Sequence, residues 1–68
     1  MTIELNGMST QLPDGASLAD AIAAAGADAG RRGVAAAVDG EVVRRPDWAQ
    51  TALREGQSVE VVRAVQGG

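Results

Sequence analysis

Residues 1–12 alternate between apolar and polar side chains, with one interruption at Asn6-Gly7. Ile3 and Leu5 are the apolar positions before the interruption, and Leu12 continues the alternation after it. An Asn-Gly pair favours a two-residue β-turn, because both turn positions require positive φ. The segment therefore predicts a β-hairpin.

A helix is predicted to follow this hairpin. Ser17 stands where an N-cap belongs, and Asp20, three residues later, partly reproduces a capping box. Leu18 and Ile22 are spaced to share one face of that helix. Gly26 suits its C-cap, because glycine adopts the left-handed conformation found there at no steric cost.

The second half of the chain predicts three more strands. Residues 34–38 and 41–44 flank Asp39-Gly40, which gives a second hairpin by the same turn chemistry. Pro46 ends the fourth strand, and residues 47–53 are expected to make an irregular or single-turn crossing. The last strand is expected over residues 58–65.

This order predicts a single α+β domain over residues 1–68: ββαββ, with a short extra strand or turn before the last strand. One helix can cover only one face of the sheet. Joining two hairpins through a right-handed crossover places the first and last strands side by side and parallel at the centre of a four- to five-stranded mixed sheet. The expected core is Ile3, Leu5, Leu12, Leu18, Ile22, Val34, Val38, Val42, Leu53, Val59 and Val61, with Trp48 closing one end.

Composition removes most catalytic chemistries from this chain of 68 residues. It has no Cys and no His, which excludes a disulfide, a thiolate metal site, a thiol nucleophile and histidine acid–base catalysis. All 6 basic residues are arginine, so biotin and lipoyl attachment to lysine are excluded as well. We expect no metal and no cofactor.

Charge and hydropathy indicate where the protein acts. The net charge of −3 argues against nucleic-acid binding, which depends on neutralising phosphates. No segment resembles a signal peptide or a membrane span, so the cytoplasm is the expected compartment. The arginine pairs at residues 31–32 and 44–45 are expected to be solvated surface rather than phosphate sites.

The candidate chemistry lies at the C-terminus, which reads Val65-Gln66-Gly67-Gly68. Two glycines form a thin, flexible tail whose terminal carboxylate can enter a narrow active site. A free carboxylate is a poor electrophile, so its use as a carrier requires a partner that adenylates it with ATP. An incoming sulfur nucleophile then gives a thiocarboxylate, with AMP leaving. The alternative is a frayed terminus without function.

A surface next to this tail is a candidate for partner binding. With Val59 and Val61 facing the core, Val62 faces outward, and together with Val65 and the small residue Ala37 it forms a modest exposed apolar patch. We expect this patch to dock on the activating enzyme.

Several segments together resemble the ThiS family, the ubiquitin-like sulfur carriers of thiamin thiazole biosynthesis. They are residues 1–7 (MTIELNG), 12–20 (LPDGASLAD), 34–43 (VAAAVDGEVV), the segment around Trp48, 53–56 (LREG) and 59–68 (VEVVRAVQGG). The resemblance covers nearly the whole chain. Family members often carry Asn at the position of Asp39, Pro at that of Arg44 and Asp at that of Gln57.

The resemblance implies a β-grasp fold and a protein co-substrate rather than an enzyme. It further implies adenylation of Gly68 by an E1-like, ThiF-type adenylyltransferase, conversion to a thiocarboxylate, and sulfur delivery to a ThiG-type thiazole synthase. On its own the chain is expected to be a monomer. Two alternatives stay open: a non-covalent β-grasp interaction module with inert glycines, and a carrier of the molybdopterin synthase small-subunit type.

Overall fold

The computed structural model describes residues 1–26 and 33–63, which form a mixed sheet with a helix on one face. The elements in chain order are β1 (Thr2–Leu5), β2 (Met8–Gln11), α1 (Leu18–Ala24), β3 (Val34–Val38), β4 (Glu41–Val43), a 3-10 helix (Arg45–Gln50) and β5 (Ser58–Arg63). The predicted succession of hairpin, helix, hairpin and last strand is confirmed, which with five strands is ββαβββ, and the crossing before β5 is the 3-10 helix.

The sheet has five strands in the order β2-β1-β5-β3-β4. Strands β1 and β5 are parallel neighbours, and the other three pairs are antiparallel. The predicted central position of the first and last strands is therefore confirmed. The sheet and its single helix match the β-grasp expectation.

Both hairpins close on the predicted turns. Asn6 and Gly7 have φ of 51° and 82°, and Asp39 and Gly40 have φ of 49° and 86°. Positive φ at both central positions fits a turn whose twist matches that of the flanking strands. Each hairpin register is thus set by a two-residue turn.

Reciprocal hydrogen bonds at Ser17 start helix α1. The Asp20 N–H donates to Ser17 Oγ at 3.3 Å, and the Ser17 N–H donates to Asp20 Oδ2 at 2.8 Å, which completes the predicted capping box. At the other end the C-cap is Ala25 rather than Gly26, and Gly26 follows it with φ of 81°. The left-handed residue therefore stands one position beyond the cap, where such a glycine is common.

The 3-10 helix begins at Arg45, two residues before the predicted crossing, and β4 ends at Val43 rather than at residue 44. Pro46 lies in the first turn of the 3-10 helix, where its missing N–H leaves no hydrogen bond unmade. Backbone hydrogen bonds from Leu18 to Thr51 and from Leu53 to Ala16 join the start of α1 to the end of this segment.

The core lies between α1, the 3-10 helix and the inner face of the sheet. Its buried members are Ile3, Leu5, Leu18, Ala21, Ile22, Ala36, Trp48, Leu53 and Val59. Four other predicted members are partly buried and pack against it: Leu12, Val34, Val38 and Val61. Three of the buried residues, counting Ala16, are alanines, so the larger side chains carry most of the burial.

The prediction that Val42 belongs to the core is wrong, because its side chain is 77% exposed. Val42 is the middle residue of the edge strand β4 and pairs with Ala37 in β3. Ala36, which precedes Ala37 in β3, is buried on the helix side of the sheet. Successive side chains of a strand point to opposite faces, so Ala37 and its partner Val42 point to the other face. Val42 therefore lies on the face away from the helix.

This distinction predicts unequal effects of two truncations. Ile22 is fully buried, so Ile22→Ala should lower the free energy of unfolding by about 2–5 kcal/mol. Val42→Ala removes exposed methyl groups and should change it by less than about 0.5 kcal/mol. Urea unfolding followed by the fluorescence of Trp48 measures both. Equal losses would show that Val42 contributes to the core after all.

Candidate functional site

The predicted site has a described part and a part outside the described residues. Val65, Gln66, Gly67 and Gly68 lie outside them. What the structure describes is the strand that leads to them, β5, and the surface around its end at Arg63. The described geometry is therefore that of β5 and the surface around its end.

Alternation along β5 places its side chains as predicted. Val59 is fully buried and Val61 is half-buried, whereas Glu60 is exposed and Val62 is 59% exposed. The inner residues pack toward the helix, so Glu60 and Val62 lie on the outward face of the sheet.

An apolar patch forms on this outward face, made of Ala35, Ala37, Val42 and Val62. The strand register brings them together, since Ala35 pairs with Val62 across β3 and β5, and Ala37 pairs with Val42 across β3 and β4. These side chains line one shallow depression together with Glu60. The predicted pair of Val62 and Ala37 thus lies in one surface with two residues that we had not placed there.

The missing members could have been found from the sequence. Counting back from the Asp39-Gly40 turn pairs Val42 with Ala37, so an outward Ala37 requires an outward Val42. The same alternation puts Ala35 beside Ala37 on that face.

Carboxylates border the apolar patch. Glu60 is exposed at its edge and pairs with Ala37. Glu4 is exposed on the neighbouring strand β1, opposite Ser58. The outward face therefore combines a small apolar surface with negative charge, which favours a partner with a complementary basic rim.

The tips of both hairpins hold β5 in place. Asn6 Oδ1 accepts from the Val61 N–H at 2.8 Å, and Asn6 Nδ2 donates to the Val61 carbonyl at 3.3 Å. From the other hairpin, Asp39 Oδ1 accepts from the Ser58 N–H at 3.0 Å. The strand that precedes the tail is thus bonded from both sides by turn side chains.

Two of the departures from the ThiS pattern contact each other. Gln57 Nε2 donates to Asp39 Oδ2 at 3.1 Å, and Gln57 Oε1 accepts from the Arg54 N–H at 2.7 Å. The resemblance gives Asn as a frequent residue at the first position and Asp as a frequent residue at the second. In this chain the carboxylate stands at the first position and the amide at the second, and the two side chains bond each other.

The remaining candidates among the described residues are Trp48 and the arginine pair at residues 44–45. Trp48 is buried as predicted, and its Nε1–H donates to the Val43 carbonyl at 2.8 Å. The Arg45 guanidinium lies over its ring, 5.3 Å from the centroid, and Arg44 is exposed. The other arginine pair, residues 31–32, lies outside the described residues.

Residues 1–26 and 33–63 contain neither a metal site nor a membrane-spanning helix. No three His, Cys, Asp or Glu side chains there are grouped to hold a metal ion. In the same ranges, no helix has the length and apolar character needed to cross a membrane.

Comparisons with known proteins agree with this architecture. A crystal structure of the thiamine biosynthesis protein ThiS from Geobacter metallireducens superposes with a TM-score of 0.77 at 23% identity, covering 100% of both chains. An NMR solution structure of a thiamine biosynthesis protein from the same organism gives a TM-score of 0.77 at 24% identity, covering 100% of this chain and 88% of that one. No curated protein gives a significant match.

These likenesses establish the fold. The family itself is established by a sequence model, the ThiS family model, which matches residues 2–68 and so includes the terminal glycines. With the model covering nearly all of its length, the chain belongs to the ThiS family.

Proposed function

We propose that this protein is a sulfur carrier for thiamine biosynthesis and that its Gly68 carboxylate carries the sulfur. The observation that carries the proposal is the ThiS family match over residues 2–68, which runs to the terminal glycine. The proposal is supported by β5, which precedes the tail in sequence, is the central strand of the sheet and contributes Val62 to an exposed apolar patch.

The proposed chemistry has two steps. A carboxylate oxygen of Gly68 attacks the α-phosphorus of ATP and pyrophosphate leaves, which gives an acyl adenylate. Hydrosulfide, or an equivalent sulfur nucleophile, then attacks the acyl carbon. The C–O bond breaks, AMP leaves with its electron pair, and a proton is released, which gives the thiocarboxylate.

The carrier contributes the acyl group, and a partner contributes the catalytic groups. The chain has no Cys, His or Lys, and its described residues form no metal site. We therefore assign it the role of protein co-substrate, activated by an E1-like ThiF-type adenylyltransferase. The sulfur would be accepted by a ThiG-type thiazole synthase.

Docking of the activating enzyme is assigned to the outward face of the sheet. Val62 is the most exposed apolar side chain of β5, and Ala37 and Val42 extend the surface around it. Val65, three residues beyond Val62 in sequence, continues the proposed contact toward the tail. Exposed Glu60 and Glu4 would steer the approach to a basic surface.

The position of the carboxylate predicts how tail variants behave. Deleting Gly68 or adding one residue after it displaces the carboxylate from the adenylation site, so both changes should abolish ATP–pyrophosphate exchange by the activating enzyme. Urea unfolding should be unchanged, which serves as the control for folding. Exchange at the native rate with both variants would rule out the carrier role and favour a non-covalent interaction module.

The docking surface predicts a different result for Val62→Asp. If Val62 is central to the contact, the substitution should weaken binding of the activating enzyme by about 2 kcal/mol, roughly thirtyfold in dissociation constant. Met8→Asp is the matched control, since Met8 is 71% exposed but lies on the edge strand β2, on the face toward the helix. Isothermal titration calorimetry measures both.

Equal dissociation constants for Val62→Asp and the native chain would contradict this docking surface. So would a loss of affinity in Met8→Asp as large as that in Val62→Asp, because it would show that the added charge, and not its position, weakens binding.

A further inference from the structure

Strand β5 is longer than the partner strand on its β1 side. The parallel ladder pairs Glu4 with Ser58 and Leu5 with Val59, and β1 then ends at the Asn6-Gly7 turn. Strand β5 continues to Arg63. The backbone groups of β5 beyond Val59 that face β1 therefore have no strand opposite them.

The Asn6 side chain takes the place of the missing strand. The Asn6 backbone N–H donates to the Val59 carbonyl at 2.8 Å, and this is the last backbone bond on the β1 side of β5 among the described residues. Its carboxamide then accepts from the Val61 N–H at 2.8 Å and donates to the Val61 carbonyl at 3.3 Å. A primary amide has the same donor and acceptor as a peptide group, so it satisfies both backbone groups of Val61 at once.

Residue identity at this position is tightly constrained. Asn6 must adopt φ of 51°, which Asn tolerates better than most non-glycine residues, and it must present both an acceptor and a donor to Val61. Gly would satisfy the turn but not Val61. Asp would satisfy the turn and the Val61 N–H but would place a second acceptor against the Val61 carbonyl.

Asp39 provides a comparison at the opposite end of β5. It too is the first residue of a two-residue turn, with φ of 49°, and its side chain bonds the Ser58 N–H. Ser58 begins β5, whereas Val61 lies two residues before Arg63, where the described strand ends. The two turns thus hold the same strand. Of the two turn side chains, Asn6 bonds the end of β5 that leads to the tail, and on the opposite side β3 pairs with β5 as far as Arg63.

We propose that Asn6 is a positioning residue for the C-terminal tail. This inference rests on the proposed function, since it concerns delivery of Gly68 to the activating enzyme. Strand β3 holds one side of β5 as far as Arg63, and Asn6 holds the other side at Val61. Together they fix the direction in which the chain leaves the sheet relative to Val62, which lies in the docking patch. Once the patch is docked, that direction determines how often the tail enters the active site.

The test compares Asn6→Gly with Asp39→Gly. Each variant keeps a residue that suits the turn and removes the side-chain hydrogen bonds from that turn to β5. Steady-state adenylation should show kcat lowered roughly twofold to tenfold in Asn6→Gly, the range expected for losing a bonded pair, with KM for the carrier unchanged. Asp39→Gly should keep the native kcat and KM, even if it lowers the free energy of unfolding as much as Asn6→Gly does.

Amide hydrogen exchange by NMR provides a readout that does not depend on the partner. In Asn6→Gly the Val61 amide should exchange roughly twofold to tenfold faster relative to the Val59 amide. In Asp39→Gly that ratio should stay at its native value, because the Val61 contact is intact.

Three results would overturn the inference. They are an unchanged kcat in Asn6→Gly, an equal fall of kcat in Asp39→Gly, and an unchanged Val61 exchange ratio in Asn6→Gly. Failure of the native chain to be adenylated is a separate outcome, which overturns the proposed function and with it the role of Asn6 in loading. The exchange measurement still shows in that case whether Asn6 holds β5.

Discussion

The pairing of β5 with a strand on each side is the constraint on which the rest of the fold depends. Strand β1 approaches it in parallel and β3 in antiparallel orientation, so β5 joins the two hairpins into one sheet. Its Val59 is fully buried beneath α1, and its first residue, Ser58, is bonded by Asp39. A small domain has little hydrophobic free energy to spare, so joining the hairpins through one central strand secures much of its cooperativity.

The same strand connects this architecture to the proposed function. Its inner face contributes to the core, its outer face contributes Val62 to the apolar patch, and the residues after Arg63 carry the terminal carboxylate. A carrier of this kind needs a folded surface to which the partner binds and a narrow terminus that the partner modifies. Alternation along β5 provides the binding surface, and the Gly67-Gly68 sequence provides the terminus.

Most of the topology could be predicted from local patterns, because two Asp-Gly or Asn-Gly turns and one capping box fix the limits of the hairpins and the helix. Val42 was misplaced because a valine in a short strand gives no sign of which face it occupies until the register is counted from the turn. The hydrogen bond from Asn6 to Val61 is not predicted for another reason. The role of Asn6 in the turn is local, whereas this bond joins residues far apart in sequence and depends on the tertiary pairing of β1 with β5.

Intact-mass spectrometry of the native chain tests the central claim most directly. The protein would be incubated with the ThiF-type enzyme of its own organism, ATP and sulfide, and a second ThiS-family carrier with its own enzyme would serve as the positive control. The account predicts a product in which one oxygen is replaced by one sulfur, with fragmentation placing the change at Gly68. An unchanged mass, alongside a loaded positive control and ATP turnover by the enzyme, would contradict it.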